Sequence, residues 1–182
     1  MARRPSTDHF IKKKVEVEDA DKSATFGGAP KRRGAPFDPN TENLFLLGLA
    51  GSGRQALGQA LAGKFGMQYL DLRGLDSNVD QKDVENVLQS TGWVVALGRP
   101  VLADPAVAEV VPESRAYYLI ADVPLLLERT GGGNPERESL AAELNELEPL
   151  AMSLARHTLR AEKPVQELLE DMEMSLSLPL GI

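Results

Sequence analysis

From Asn43 onward, short apolar runs alternate with stretches in which apolar residues recur every three or four positions. The first run, Leu44–Leu47, ends at Gly48, as a buried parallel strand does. After a glycine-rich turn, Leu57, Leu61 and Phe65 mark one helix face, and Gly66 stands where a C-terminal cap belongs. Residues 67–72 read as a second strand. Asp80 and Asp83 open a helix with Val84, Val87 and Leu88 on its apolar face and Gly92 at its close. Trp93–Leu97 is a third strand, and Asp104-Pro105 starts a short helix reaching Val111.

Residues 116–121 form a fourth predicted strand. Asp122 then caps a helix bearing Leu125, Leu126 and Leu127, and Gly131-Gly132-Gly133 interrupts the chain. Asn134-Pro135-Glu136 begins a long helical stretch with Leu140, Leu144 and Leu147 on one face, which Pro149 is expected to kink or split. His157–Arg160 is a fifth strand, and a last helix from Pro164 carries Val165, Leu168, Leu169 and Met172. Strands separated by helices dictate parallel units with right-handed crossovers. The expected fold is therefore α/β, three layers with helices on both faces of a five-stranded parallel sheet. Its domain spans 43–174, with a loose C-terminal tail over 175–182.

Residues 1–42 have another texture. Basic clusters alternate with an acidic run, prolines and glycines are frequent, and apolar residues are too sparse to offset the entropy of ordering. The segment reads as a solvated, disordered charged tail; the sharper reading is a docking arm for an acidic protein partner. It holds nine Lys or Arg against seven Asp or Glu, whereas residues 43–182 hold eleven against twenty. An acidic domain offers no broad basic face to a nucleic-acid backbone, so nucleic-acid binding is not expected. The absence of cysteine removes disulfides, thiolate metal sites and a thiol nucleophile, and suits a cytoplasmic setting. No stretch approaches the ~20 apolar residues of a membrane helix, and charges stand where a signal peptide would be apolar.

Gly48-Leu49-Ala50-Gly51-Ser52-Gly53-Arg54-Gln55 follows the first strand and opens the first helix. This is the G-x-x-x-x-G arrangement of a phosphate loop, in which glycines let successive N–H groups turn toward an anion and the helix adds its positive end. Such loops continue with Lys, which reaches the terminal phosphates, and Ser or Thr, which binds Mg²⁺. Arg54 keeps the charge on a larger planar fork, and Gln55 has no hydroxyl. The loop is expected to bind phosphate or nucleotide, ATP included, while these two residues argue against Mg²⁺.

Over residues 43–58, NLFLLGLAGSGRQALG, the chain resembles the opening of shikimate kinases. The resemblance runs on through Leu70-Asp71, residues 94–98, the unit at 117–128, Pro149-Leu150 and the helix at 164–172. It implies a P-loop kinase fold with ATP as donor and the 3-hydroxyl of shikimate as acceptor. It also implies roles: Gly48, Gly51, Ser52, Gly53, Arg54 and Gln55 around the phosphates, and Arg137 from the lid. Arg54 and Asp71 fall at catalytic positions, with Asp71 on the metal side. Arg73, Gly98 and Arg99 fall at the acceptor, where the family carries an Asp and a glycine triplet. The family's carboxylate-gripping Arg falls at Leu147, and its Tyr at Ala151. Shikimate is a carboxylate, so these departures remove the charge-assisted bonds that would hold it.

Other candidates have bland readings. His157 is read as structural, and Glu143, Glu146 and Glu148 as a solvated acidic face. Arg73, Arg99 and Arg54 either build a new anion pocket or face solvent. Three functions follow: a shikimate-kinase-like protein with weak or no phosphotransfer, acting as a phosphate-binding or regulatory module; a working kinase; or an interaction domain whose loop binds nothing.

Overall fold

A computed structural model of the chain describes residues 36–72, 86–87, 89–103, 111–112 and 115–177. Its elements in chain order are β1 (Leu44–Leu47), α1 (Arg54–Phe65), β2 (Gln68–Leu72), β3 (Trp93–Leu97), α2 (Arg99–Leu102), β4 (Ala116–Ile120), α3 (Val123–Thr130), α4 (Asn134–Leu154), β5 (His157–Arg160) and α5 (Val165–Ser177). The strands form one parallel sheet in the order β2-β3-β1-β4-β5. All four residues of β1 are buried, as expected of the central strand of a sheet covered on both faces. Helices α1 and α5 pack together on the sheet, while α4 packs on α2, α3 and β4. This is the three-layer α/β fold that the apolar pattern dictates.

Helix α1 ends at Gly66, which takes the left-handed conformation (φ 68°) that glycine enters without a steric penalty. Midway, Gly58 lies against the sheet so closely that a Cβ there would overlap the Tyr69 ring and stand 3.3 Å from Leu46 Cδ1. Asp122 caps α3 by accepting the Leu125 N–H at 2.9 Å. At the start of α4, Glu136 accepts the Gly133 N–H at 2.7 Å.

The start of the sheet is held by side chains. Asn43 donates to Ser90 O (2.7 Å) and accepts the Trp93 N–H (2.9 Å), tying the beginnings of β1 and β3. Arg115, just before β4, is buried and forks onto the Glu42 carboxylate, with Nε and Nη2 each 3.1 Å from an oxygen. Its guanidinium also lies 5.5 Å from the centre of the Phe37 ring, and Phe37 meets Phe65 edge-on. Phe37 thus packs with the domain although it precedes Asn43, where the apolar pattern sets in.

Two boundaries differ from the sequence pattern. Pro149 does not split α4, which continues unbroken to Leu154. Leu147, Ala151 and Leu154 are buried on either side of the proline, and that packing holds the helix through the lost N–H. Helix α5 continues to Ser177, because Leu176 is buried and Ser175 Oγ lies 2.6 Å from the Tyr117 hydroxyl. The short α2 was not anticipated, and the helix expected from Asp104 lies outside the described residues apart from Val111. Within the helix expected to open at Asp80, residues Asn86, Val87 and Gln89 are helical. Asp80 and Asp83 themselves lie outside the described residues. Among the described residues, no helix is long and apolar enough to cross a membrane.

Candidate functional site

The glycine loop joins the end of central β1 to α1, at the carboxyl edge of the sheet where ligands bind in open α/β folds. Gly51 and Gly53 both have positive φ, 87° and 89°, backbone angles of the kind that let a loop turn successive N–H groups toward an anion. Gly53 is also the N-cap of α1 and supplies no side-chain acceptor, so nothing from the cap competes for the first-turn N–H groups. The loop, with Arg54, Gln55, Ala56, Gln59, Asp71 and Arg129, lines a cavity of about 370 Å³. Positive main-chain potential, two guanidinium-bearing residues and one carboxylate meet there, a setting suited to an anion.

The loop's own side chains are less open than the motif suggests. Arg54 is buried at 6% exposure, and its Nη1 donates to the carbonyls of Gly48 and, at 2.7 Å, Leu97. The guanidinium is thus turned beneath the loop, joining the ends of β1 and β3. Ser52 is also buried, its N–H donating to Leu49 O (3.2 Å), and its Oγ finds no hydrogen-bond partner among the described residues. A Cβ at Gly48 would come within 2.6 Å of Ser52 Oγ, so a larger residue there would force the buried serine to shift. Gln55 faces solvent at the cavity, and Asp71, half-buried near the end of β2, completes the wall.

The remaining expected residues are spread out. Gly98 is buried, and its backbone turns the chain after β3, donating to Leu72 O at 2.9 Å. Arg99 ion-pairs with Glu146 of α4, so part of the acidic face expected to be solvated is matched by a cation. Arg137 is exposed on α4, and Arg73 lies outside the described residues. Leu147 and Ala151, where the resemblance is expected to place the family's Arg and Tyr, are fully buried in the core. His157 stacks on Tyr117 at 5.0 Å, and burial, with the Arg156 and Arg115 charges, holds its imidazole below the usual pKa.

Arg129 was missed by sequence reasoning. It lies in the last turn of α3, and its Nη1 donates to Gly51 O (3.3 Å) while Nη2 donates to Ala161 O (2.9 Å), closing the cavity across from α1. A signal was present, an arginine just ahead of the glycine triplet on the helix after β4, the strand neighbouring β1.

The fold and the loop define a P-loop kinase architecture. Within it the chain is shikimate-kinase-like. It is 25% identical over 161 residues to shikimate kinase 2 of Yersinia enterocolitica, covering 71% of this chain and 92% of that one. Shikimate kinase from Acinetobacter baumannii, solved in complex with shikimate, superposes with a TM-score of 0.65 at 20% identity, over 79% of this chain and 97% of the other. A gluconokinase from Sinorhizobium meliloti shares the fold at a TM-score of 0.55 and 17% identity, over 75% and 92%. No family profile matches the chain.

Proposed function

We propose that this chain is a shikimate-kinase-like protein that keeps an anion-binding phosphate loop, occupied by a nucleotide or another phosphate, and has lost most or all phosphotransfer. One observation carries the reading: the cation at the loop's lysine position is bonded to the carbonyls of Gly48 and Leu97. A lysine there reaches outward to neutralise charge as the phosphoryl group leaves, and transfer depends almost wholly on such positioning. Arg54 instead gives its Nη1 to the strand ends, while Gly51 and Gly53 still line the cavity. The acceptor side points the same way, since Leu147 and Ala151 are core residues that offer a carboxylate nothing. The protein then acts by binding, as a regulatory or partner-docking module in the cytoplasm, with the charged segment before residue 36 as the candidate docking arm.

A coupled assay of shikimate-dependent ADP release, run beside thermal unfolding with ATP, tests this. The expected result is a raised unfolding midpoint, because a ligand bound only by the native state stabilises it. Turnover should stay far below the ~10 s⁻¹ typical of enzymes, and a rate near that value would overturn the proposal. A working small-molecule kinase is the second reading; Asp71, placed in the cavity wall, is the observation that favours it. A domain whose loop binds nothing would show no shift at all.

A further inference from the structure

In P-loop enzymes the hydroxyl after the lysine helps to hold Mg²⁺, together with an acidic residue and the nucleotide's own oxygens. Here Gln55 and Ala56 follow Arg54, and neither carries a hydroxyl. Magnesium demands near-octahedral oxygen geometry and gives up its water reluctantly, so a solvent-facing amide on a long stem is a poor replacement. Asp71 is the carboxylate in the cavity wall. Among the described residues, no group of three or more His, Asp or Glu side chains is arranged to hold a metal ion. The described residues around the loop do not fit the ion.

Fixed cations are in place instead. Arg54 and Arg129 both line the cavity, and each is anchored by main-chain carbonyls: Gly48 and Leu97 for the first, Gly51 and Ala161 for the second. A guanidinium keeps its charge at any working pH, so Arg54, bonded beneath the loop, acts on the cavity by its field and not through its fork. Because both are tethered to the strand ends and loops that frame the cavity, their charge is preorganised before any ligand arrives. We propose that the loop takes the polyphosphate of a nucleotide without a divalent metal, the guanidinium groups of Arg54 and Arg129 supplying the positive charge that Mg²⁺ would otherwise bring. The inference rests on the anion-site reading above.

Isothermal titration of the full chain with ATP, in excess MgCl₂ and separately in EDTA, tests it. The affinity in EDTA is expected to equal or exceed that in magnesium, since chelating the metal leaves more negative charge for the guanidiniums. Binding about tenfold tighter in magnesium would overturn metal independence while leaving the anion site standing. No heat in either buffer would overturn both. Gln55→Ser, a change at an exposed position, and the double variant Arg54→Lys with Gln55→Ser should move the preference toward magnesium by about tenfold. An unchanged ratio in both variants would sink the proposal, as would an Arg129→Ala protein that binds metal-free ATP with undiminished affinity.

Discussion

The two ends of the sheet use arginine in opposite ways. At the start of the strands, Arg115 is forked onto Glu42, stacked near Phe37 and enclosed, so its charge is neutralised inside the chain. At the carboxyl ends, Arg54 is equally buried but holds the carbonyls of Gly48 and Leu97 beside an open cavity, with Arg129 across from it. A carboxylate partner makes an arginine a structural rivet. Main-chain carbonyls carry only partial charge, so these bonds do not by themselves cancel the Arg54 charge beside the cavity. Burial therefore does not separate the two roles; the neighbours do.

Arg115→Ala should cause the largest loss, about 3 kcal/mol in urea unfolding, at the low end for a broken buried pair because Glu42 keeps 32% of its side-chain surface. Its ATP affinity should not move, and a clear fall would break the division between the ends. Gly51→Ala should cost about 2 kcal/mol, since φ is +87° and the new Cβ would stand 3.0 Å from Thr130 Cγ2 and 3.2 Å from Leu126 O. This variant should also lose the ATP-induced rise in unfolding midpoint, and an intact rise would show that the amides are not the cradle. Arg129→Ala should cost about 1 kcal/mol, the worth of its bonds to Gly51 and Ala161, read by the same unfolding curves.

The smallest effect should come with pH. The folded protein holds the His157 pKa below its usual 6.5, chiefly by burial, so the unfolded chain binds the proton more readily. Stability should therefore decline as pH falls below about 6.5, through the window between the unfolded and the lower folded value. His157→Phe keeps the stack on Tyr117 and should flatten that decline; an unaltered slope would place the proton elsewhere.

The sheet was legible because β1 and β3 are wholly apolar runs, which only a strand covered on both faces tolerates. The loop was legible because glycine spacing reports backbone angles directly. Pattern could not report where long side chains go. Arg54 reads as a phosphate ligand until its fork is found on Leu97 O, and Arg99 reads as an acceptor contact until Glu146 meets it from α4. Both outcomes depend on residues more than forty positions away. Pro149 shows the same limit, since its local rule gave way to the burial of Leu147 and Ala151.

The contact at Gly58 fixes how closely α1 approaches the sheet. With no side chain there, the backbone of α1 packs against the Tyr69 ring, and the first turn of the same helix lines the cavity. Trimming that ring would remove the surface on which α1 rests, so a change in β2 would act on the loop from beneath the helix.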